Sequence, residues 1–298
     1  MEMKRSVGDK IIDAIIVFFM LLVIIAMLYP MWNTLAVSLN DARDSIKGGI
    51  YLWPRKWSLY NYQSIFKTDK VFNAFLISVA RTIITTILNV FFSGLLAYVL
   101  SHREFVLKRF TTVFMLMTMY INAGLIPQYF LYRNLGLNNT FWVYILPAMV
   151  GAFNVIVIRT YINSLPPSLA ESAKIDGASE MKIYFYVIFP MCLPVLATVA
   201  LWVAVGAWND WFTSYIFAPK QSLSTLQYEM MKIISSSMQQ GAAQTPDYLQ
   251  QSKSQQSSMV TPNSLRASMT IVATVPILVV YPFLQKYFVT VNIGSVKE

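Results

Sequence analysis

The chain has 298 residues, of which 56% are hydrophobic and 12% charged, with a formal net charge of +9, one cysteine and one histidine. Soluble domains carry about a quarter charged residues, so this composition argues against one; the apolar residues also gather into runs near the ~20 that cross about 30 Å of hydrocarbon. Cys192 alone excludes an intrachain disulfide, and with His102 as the sole histidine a structural zinc site has too few ligands. The positive charge comes without a nucleic-acid motif and reads as basic flanks of membrane spans.

Residues 1–10 are short and basic (Lys4, Arg5, Lys10) and precede an apolar run over 11–30. That run is too long for a signal peptide and no small-x-small cleavage site follows it, so it reads as an uncleaved first span with a cytoplasmic N-terminus. Residues 33–70 are polar and tryptophan-bearing, an extracytoplasmic loop with a short helix near 59–66. A second span covers 72–100 and contains Arg81. An arginine at mid-bilayer costs about 2.5–3.5 kcal/mol on insertion scales; Arg81 is expected at the outer interface or against a partner helix, a role in the path being the other reading.

The basic turn 102–109 leads to a third span over 110–126, an extracytoplasmic connector over 127–140 and a fourth span over 141–162. A polar, helix-competent loop follows over 164–186, then a fifth span over 187–208. Residues 209–266 form a long extracytoplasmic loop whose part 235–264 is crowded with Gln and Ser, either a flexible tether or an arm toward an external partner. A sixth span over 267–284 ends in a short tail. The expectation is an all-α, polytopic membrane protein: one transmembrane domain over 1–298, six spans, both termini cytoplasmic.

The loop 164–186 carries its own punctuation. Pro166-Pro167 can open a helix, and Ser168 with Glu171 has the spacing of a capping box. Gly177 can end that helix in a left-handed turn, and Ser179 can cap a second helix leading to Pro190. Two short helices joined at a glycine beside a span make a rigid knob outside the bilayer, suited to being held by another protein.

These residues carry a resemblance. Glu171-Ser172-Ala173, Asp176-Gly177-Ala178 and Val187-Ile188-Phe189-Pro190 are similar to the EAA loop of ABC importer permeases, with Ser172 replacing an Ala and Phe189 a Leu. Asn122-Ala123-Gly124-Leu125-Ile126-Pro127, Leu135 to Thr140, Trp208-Asn209 and the tail Gly294-Ser295-Val296-Lys297 resemble maltose-type sugar permeases, most of all those for alginate or pectin fragments. Glu298 and Thr290-Val291 depart from that tail pattern.

The resemblance implies a type I ABC importer permease fold in a bacterial cytoplasmic membrane. It also implies a heterodimer with a paralogous permease, two ATPase subunits and an extracytoplasmic solute-binding protein, with ATP-Mg in the ATPases and no cofactor in this chain. Glu171, Ser172, Ala173, Asp176, Gly177, Ala178 and Pro190 would couple to the ATPase. For a sugar, aromatic faces and amide or carboxylate groups suit the rings and hydroxyls. The candidates are Trp208, Asn209, Asp210, Trp211 and Tyr215, although the aromatics among them read more readily as an interfacial belt. Asn122 and Asn154 either line the path or bond a neighbouring helix.

Some chemistry is missing. No Gly-x-x-x-x-Gly-Lys-Ser/Thr occurs, so energy must come from a partner. No paired carboxylates or nucleophile sets occur in the spans, against a membrane hydrolase, and few ionisable groups lie there, against a secondary carrier. A peptide or amino-acid permease of the same class stays open, and a carrier or channel is the more distant alternative.

Overall fold

The computed structural model describes residues 7–67, 69–102, 104–242 and 261–294. Apart from one bridge between Asn40 and Trp57, the regular structure among the described residues is helical. The chain divides into two compact units, residues 1–68 with 232–274 and residues 69–231 with 275–298.

The first unit opens with α1 (Val7–Ser38), an apolar helix of 32 residues whose first four turns and more are exposed, as suits a span facing lipid or a partner. The polar segment after it is ordered by asparagines. Asn40, fully buried, accepts from the Lys56 amide at 2.8 Å and donates to the Asp41 carbonyl at 3.0 Å. Asn61, on α3 (Tyr60–Phe66), donates to the carbonyls of Ser38 and Asn40. Asp41 caps α2 (Ala42–Ser45), and Arg55 pairs with Asp44 at 2.9 Å. The Asn40 amide, followed by Arg55 and Lys47, holds the Asp44 carboxyl below its usual range against the opposing effect of desolvation.

The second unit is organised by α4 (Asp69–Ser101), which packs along α7 (Ala152–Asn163) and α11 (Leu193–Asn209). Its buried face carries Ser78, Arg81, Thr85, Asn89 and Ser93. Those positions recur every three or four residues, so one side of the second span is a polar stripe turned inward. Beyond Ser93 the same face becomes Gly94, Ala97 and Tyr98 and joins an apolar core with Val155, Ile158, Tyr184, Leu196 and Val199. Gly94 is required there: a Cβ on it would stand 2.8 Å from the Tyr184 hydroxyl.

Three helices, Gly8–Ser38, Asp69–Ser101 and Pro262–Val280, are each long and apolar enough to cross a membrane, and three bent pairs bring the number to six if each pair is one span. The expected third span, 110–126, and the connector 127–140 fall on one such bent pair, in which α5 (Lys108–Tyr120) meets α6 (Leu125–Asn134) at 119°. The break is at Gly124, φ +85°, whose amide is accepted by the Asn122 side chain at 2.8 Å. Between 141 and 163, two 3₁₀ turns (Phe141–Tyr144, Leu146–Ala148) precede α7 at a 41° bend, since Pro147 lacks an amide donor and Gly151 breaks the run.

The knob begins with α8 (Ser168–Ile175). A second helix runs from Glu180 to Met191, comprising α9 (Glu180–Ile183), a π-turn (Tyr184–Ile188) and α10 (Phe189–Met191). It meets α11 at 79°, between Pro190 and Pro194. Most of the span expected over 187–208 falls on α11, and an elbow precedes it.

Helices also occupy the first part of the expected loop 209–266: α12 (Phe212–Phe217), a 3₁₀ turn (Gln221–Leu223) and α13 (Leu226–Ala242). Most of the Gln/Ser-rich stretch, 243–260, lies outside the described residues, as does the tail 295–298. The last helix, α14 (Pro262–Gly294), starts from a mutual cap in which Thr261 Oγ1 accepts from the Ser264 amide and Ser264 Oγ from the Thr261 amide.

Candidate functional site

Two places in the second unit carry the candidate residues. The first is the knob. α8 starts directly at Pro167, and Ser168 is its first helical residue, so the capping box with Glu171 does not form. The proline pair begins the helix instead, because a first-turn amide has no intrahelical partner to lose. Gly177, at φ +77°, closes it: its amide bonds the Lys174 carbonyl at 3.0 Å and the Ala178 amide bonds the Ala173 carbonyl at 3.0 Å. That pair of bonds is a Schellman motif. Ser179 starts the second helix from an extended backbone, without a side-chain cap.

Glu171, Ser172, Asp176, Gly177 and Pro190 are exposed. Ala173 and Ala178 are half-buried and, with Ala170, pack against the apolar core, so their small size lets the knob sit close to its own unit. Ile175 at the tip is 86% exposed.

A polar tie, absent from the sequence reading, anchors the knob. Glu180 accepts from Lys174 Nζ at 2.7 Å with Oε1, and from the Tyr98 hydroxyl at 2.7 Å with Oε2, with His102 Nε2 at 3.2 Å from the same oxygen. Lys174 first and Tyr98 next hold the Glu180 carboxyl down at about 2 against an ordinary 4.5. One glutamate thereby joins α8, the second helix of the knob and the end of α4. The sequence signal was faint: Tyr98 and His102 are one helical turn apart, 78 residues or more from Glu180.

The second place is a cavity of about 370 Å³ walled by α4 (Arg81, Thr85, Asn89), the broken segment 144–151 (Tyr144, Pro147, Ala148, Val150, Gly151) and α11 with its end (Val203, Gly206, Ala207, Asp210). Arg81, 4% exposed, faces Asp210. Its Nη2 donates to Asp210 Oδ2 and its Nη1 to the Asp210 carbonyl at 2.8 Å. The guanidinium carbon lies 4.5 Å from the Tyr144 ring centroid, a cation–π distance. Asp210 Oδ1 accepts from the Thr213 amide at 3.0 Å, so both its oxygens are engaged. Arg81 is thus held against the end of a neighbouring helix, where the carboxylate of Asp210 neutralises it. Asn89 donates to the Ala148 carbonyl at 2.6 Å and accepts from Asn154 Nδ2 at 2.8 Å.

Of the path candidates, Asp210 is in the cavity wall and Asn154 stands behind it, bonded to Asn89. The others are elsewhere. Trp208 is buried, its ring edge-on to Phe75, and borders a separate apolar groove with Val79, Ala204 and Pro276. Asn209 bonds the Val205 carbonyl and Gln227, Trp211 and Tyr215 pack ring against ring at 6.1 Å, and Asn122 shapes the turn at Gly124. Thr85, Asn89 and Tyr144 went unselected by sequence reasoning, although the spacing of Arg81, Thr85 and Asn89 could have shown the first two. Among the described residues no group of three or more His, Cys, Asp or Glu side chains is arranged to hold a metal.

Comparison with known proteins bears on the chain as a whole. The family described as "Binding-protein-dependent transport system inner membrane component" matches residues 90–291. The polygalacturonan/rhamnogalacturonan transport system permease protein YtcP of Bacillus subtilis (strain 168) is 32% identical over 292 residues, covering 97% of this chain and 99% of that protein. The melibiose/raffinose/stachyose import permease protein MelC of the same organism is 26% identical over 276 residues, 90% of this chain and 91% of that one. A solved bacterial ABC transporter involved in the import of the acidic polysaccharide alginate has a chain of the same fold, with TM-score 0.84 and 24% identity over 96% of this chain and 99% of that chain. The helical, multi-span chain with its broken helices and exposed knob therefore belongs to the family of inner-membrane components of binding-protein-dependent transport systems.

Proposed function

We propose that this chain is one permease half of an ATP-driven importer of oligosaccharides, coupled to ATPase subunits through residues 164–186. The other components are a paralogous permease completing the path, two ATPases holding ATP-Mg, and an extracytoplasmic solute-binding protein. Both termini and the knob face the cytoplasm of a bacterial cell, and residues 209–266 face outward. Relatives named for pectin-derived and raffinose-type sugars support a saccharide cargo over a peptide.

The observation that carries this reading is that α4 reaches both places. At one end it walls the cavity with Arg81, Thr85 and Asn89; at the other, Tyr98 and His102 hold Glu180 of the knob. The separation along one helix is roughly 20 Å at 1.5 Å per residue. A displacement of the knob by a closing ATPase pair is then carried by a rigid rod to the cavity wall, a two-state element biased from a distance. Glu171, Ser172, Asp176 and Gly177 offer the exposed surface for docking, and Ala173 and Ala178 set how the knob is seated. Asp210 and, through Asn89, Asn154 serve the path; Trp208, Asn209, Trp211, Tyr215 and Asn122 shape its surroundings.

The test is reconstitution of the full complex in vesicles. Glu171→Lys is expected to lower substrate-stimulated ATP hydrolysis about tenfold or more while insertion is unchanged. Cysteines at Ser172 should crosslink to the ATPase. Unaltered coupled hydrolysis together with crosslinks only to lipid would overturn the reading.

A further inference from the structure

The names of the similar proteins do not decide the charge of this chain's sugar: two are named for acidic polymers, a polygalacturonan and alginate, and one for melibiose, raffinose and stachyose, which are neutral. The cavity is more informative. Resting on the oligosaccharide reading above, we infer that the cavity accepts a neutral glycosyl unit, and that the Arg81–Asp210 pair makes it select against uronates.

Arg81 is the cation among the cavity walls and Asp210 the anion. An arginine alone in such a wall would be a ready site for a sugar carboxylate, because its fork of donors matches two carboxylate oxygens. Here the end-on fork is already taken: both terminal nitrogens bond Asp210, one face of the guanidinium covers Tyr144, and the one donor without a partner, Nε, is sealed from solvent. Asp210 cannot easily turn away, since its second oxygen takes the Thr213 amide.

A uronate entering the cavity would bring a second carboxylate beside a fixed one, with no further cation among the lining residues to receive it. Like charges brought together in a partly desolvated site repel, and the uronate would also give up its hydration. A neutral sugar meets neither cost. Its hydroxyls both donate and accept, so they can share the uncharged Thr85 hydroxyl and Asn89 amide, already bonded to Tyr144, Ala148 and Asn154, and Gly206 leaves room for a ring. Discrimination thus comes from what the wall withholds as well as from what it offers.

The experiment is equilibrium binding to the purified permease–ATPase complex without its solute-binding protein, so that upstream selection does not contribute. The probes are a labelled arabino-oligosaccharide and a labelled oligogalacturonate of equal length. Wild type is expected to favour the neutral probe at least tenfold. Asp210→Asn, which leaves Arg81 uncompensated, should narrow that ratio about tenfold by strengthening uronate binding. Should that variant fail to assemble, Gly206→Lys adds a cation to the wall by another route, at a position where an added Cβ meets nothing within 4 Å, and should narrow the ratio likewise. Wild type binding the uronate equally or better, or a ratio unmoved in either variant that assembles, overturns the inference and leaves the oligosaccharide reading standing. Wild type binding neither probe, while another solute stimulates its ATPase, removes both.

Discussion

The knob and the cavity wall are some twenty ångströms apart along α4, by the rise of a helix, yet they are held by opposite kinds of interaction. The knob is made locally: a proline pair, a Schellman glycine and a short second helix give it shape before anything else in the chain is fixed. Its charges, Lys174 and Glu180, are largely solvated and contribute little individually. The cavity is made at long range: Arg81 and Asp210 are 129 positions apart, and Arg81, nearly fully buried on α4, takes its neutralising charge from Asp210. A locally built surface can be displaced as a body without unmaking the fold. A buried ion pair cannot be broken without a large loss, and this makes it suitable for a wall whose chemistry must stay fixed while the knob moves.

The contrast would be broken most sharply at Arg81. Arg81→Ala leaves the Asp210 carboxylate and Tyr144 without their cation; removal of one partner of a fully buried pair costs about 3–5 kcal/mol, and the 30% exposure of the Asp210 side chain brings the expected loss to the lower end of that range. Thermal unfolding in detergent should show the loss, with failure to join the complex. The double change Arg81→Met with Asp210→Leu should recover most of the stability, because the charges themselves supply little net stabilisation. A single variant as stable as wild type would mean that the pair is ordinary surface chemistry.

Gly94 lies between the two regions. Gly94→Ala would drive a methyl to within 2.8 Å of the Tyr184 oxygen, in a core that also holds Leu196 at 3.6 Å. Overpacking of this kind costs about 1–3 kcal/mol. Tyr184→Phe should relieve it, since the buried Tyr184 hydroxyl has no hydrogen-bond partner among the described residues. An additive double variant, measured by the same unfolding experiment, would count against the contact.

Within the knob, Gly177→Val asks a β-branched residue to take φ +77°. The left-handed conformation costs an L-residue about 1–2 kcal/mol, and here the added side chain meets nothing within 4 Å, so strain is the whole effect. Proteolysis between α8 and the second helix should quicken while global unfolding stays put. Equal loss of both would show that the knob is not a local unit.

How much of this was legible follows the same division. Gly177 and the proline pair could be read directly because turn chemistry is local, while Ser179 marks the start of the second helix without the side-chain cap expected of it, and the resemblance to importer permeases rests on that same stretch. The capping box failed for a local reason too: Pro166-Pro167 starts the helix one residue ahead of Ser168. The bends were not legible because hydropathy averages over a window and passes across Gly124, Pro147 and Pro194, where the backbone turns. Trp208 and Tyr215 looked suited to a sugar by residue type, but α11 turns Trp208 onto Phe75 and away from the cavity. Asp210 was chosen for its chemistry and is in the wall, yet its partner could not be paired with it across 129 positions from one sequence.

The smallest expected effect tests the tie between the regions. The Glu180 carboxyl is held down to about 2 from 4.5, first by Lys174 and then by Tyr98. A depressed carboxylate contributes above its unfolded value and loses that contribution as pH falls toward its folded value. The tie should therefore be intact at neutral pH and weaken only between about 4.5 and 2. Glu180→Gln removes the charge at every pH; as the group is mostly solvated, the loss should be about 1 kcal/mol or less. Spin labels on α8 and on the end of α4 should report a broader distance distribution in this variant at pH 7, matching wild type brought near pH 2.5. If the glutamine variant keeps the wild-type distribution while coupled ATP hydrolysis also stays unchanged, the rod from knob to cavity does not run through Glu180, and the packing of Ala170, Ala173 and Ala178 against the core must carry the motion instead.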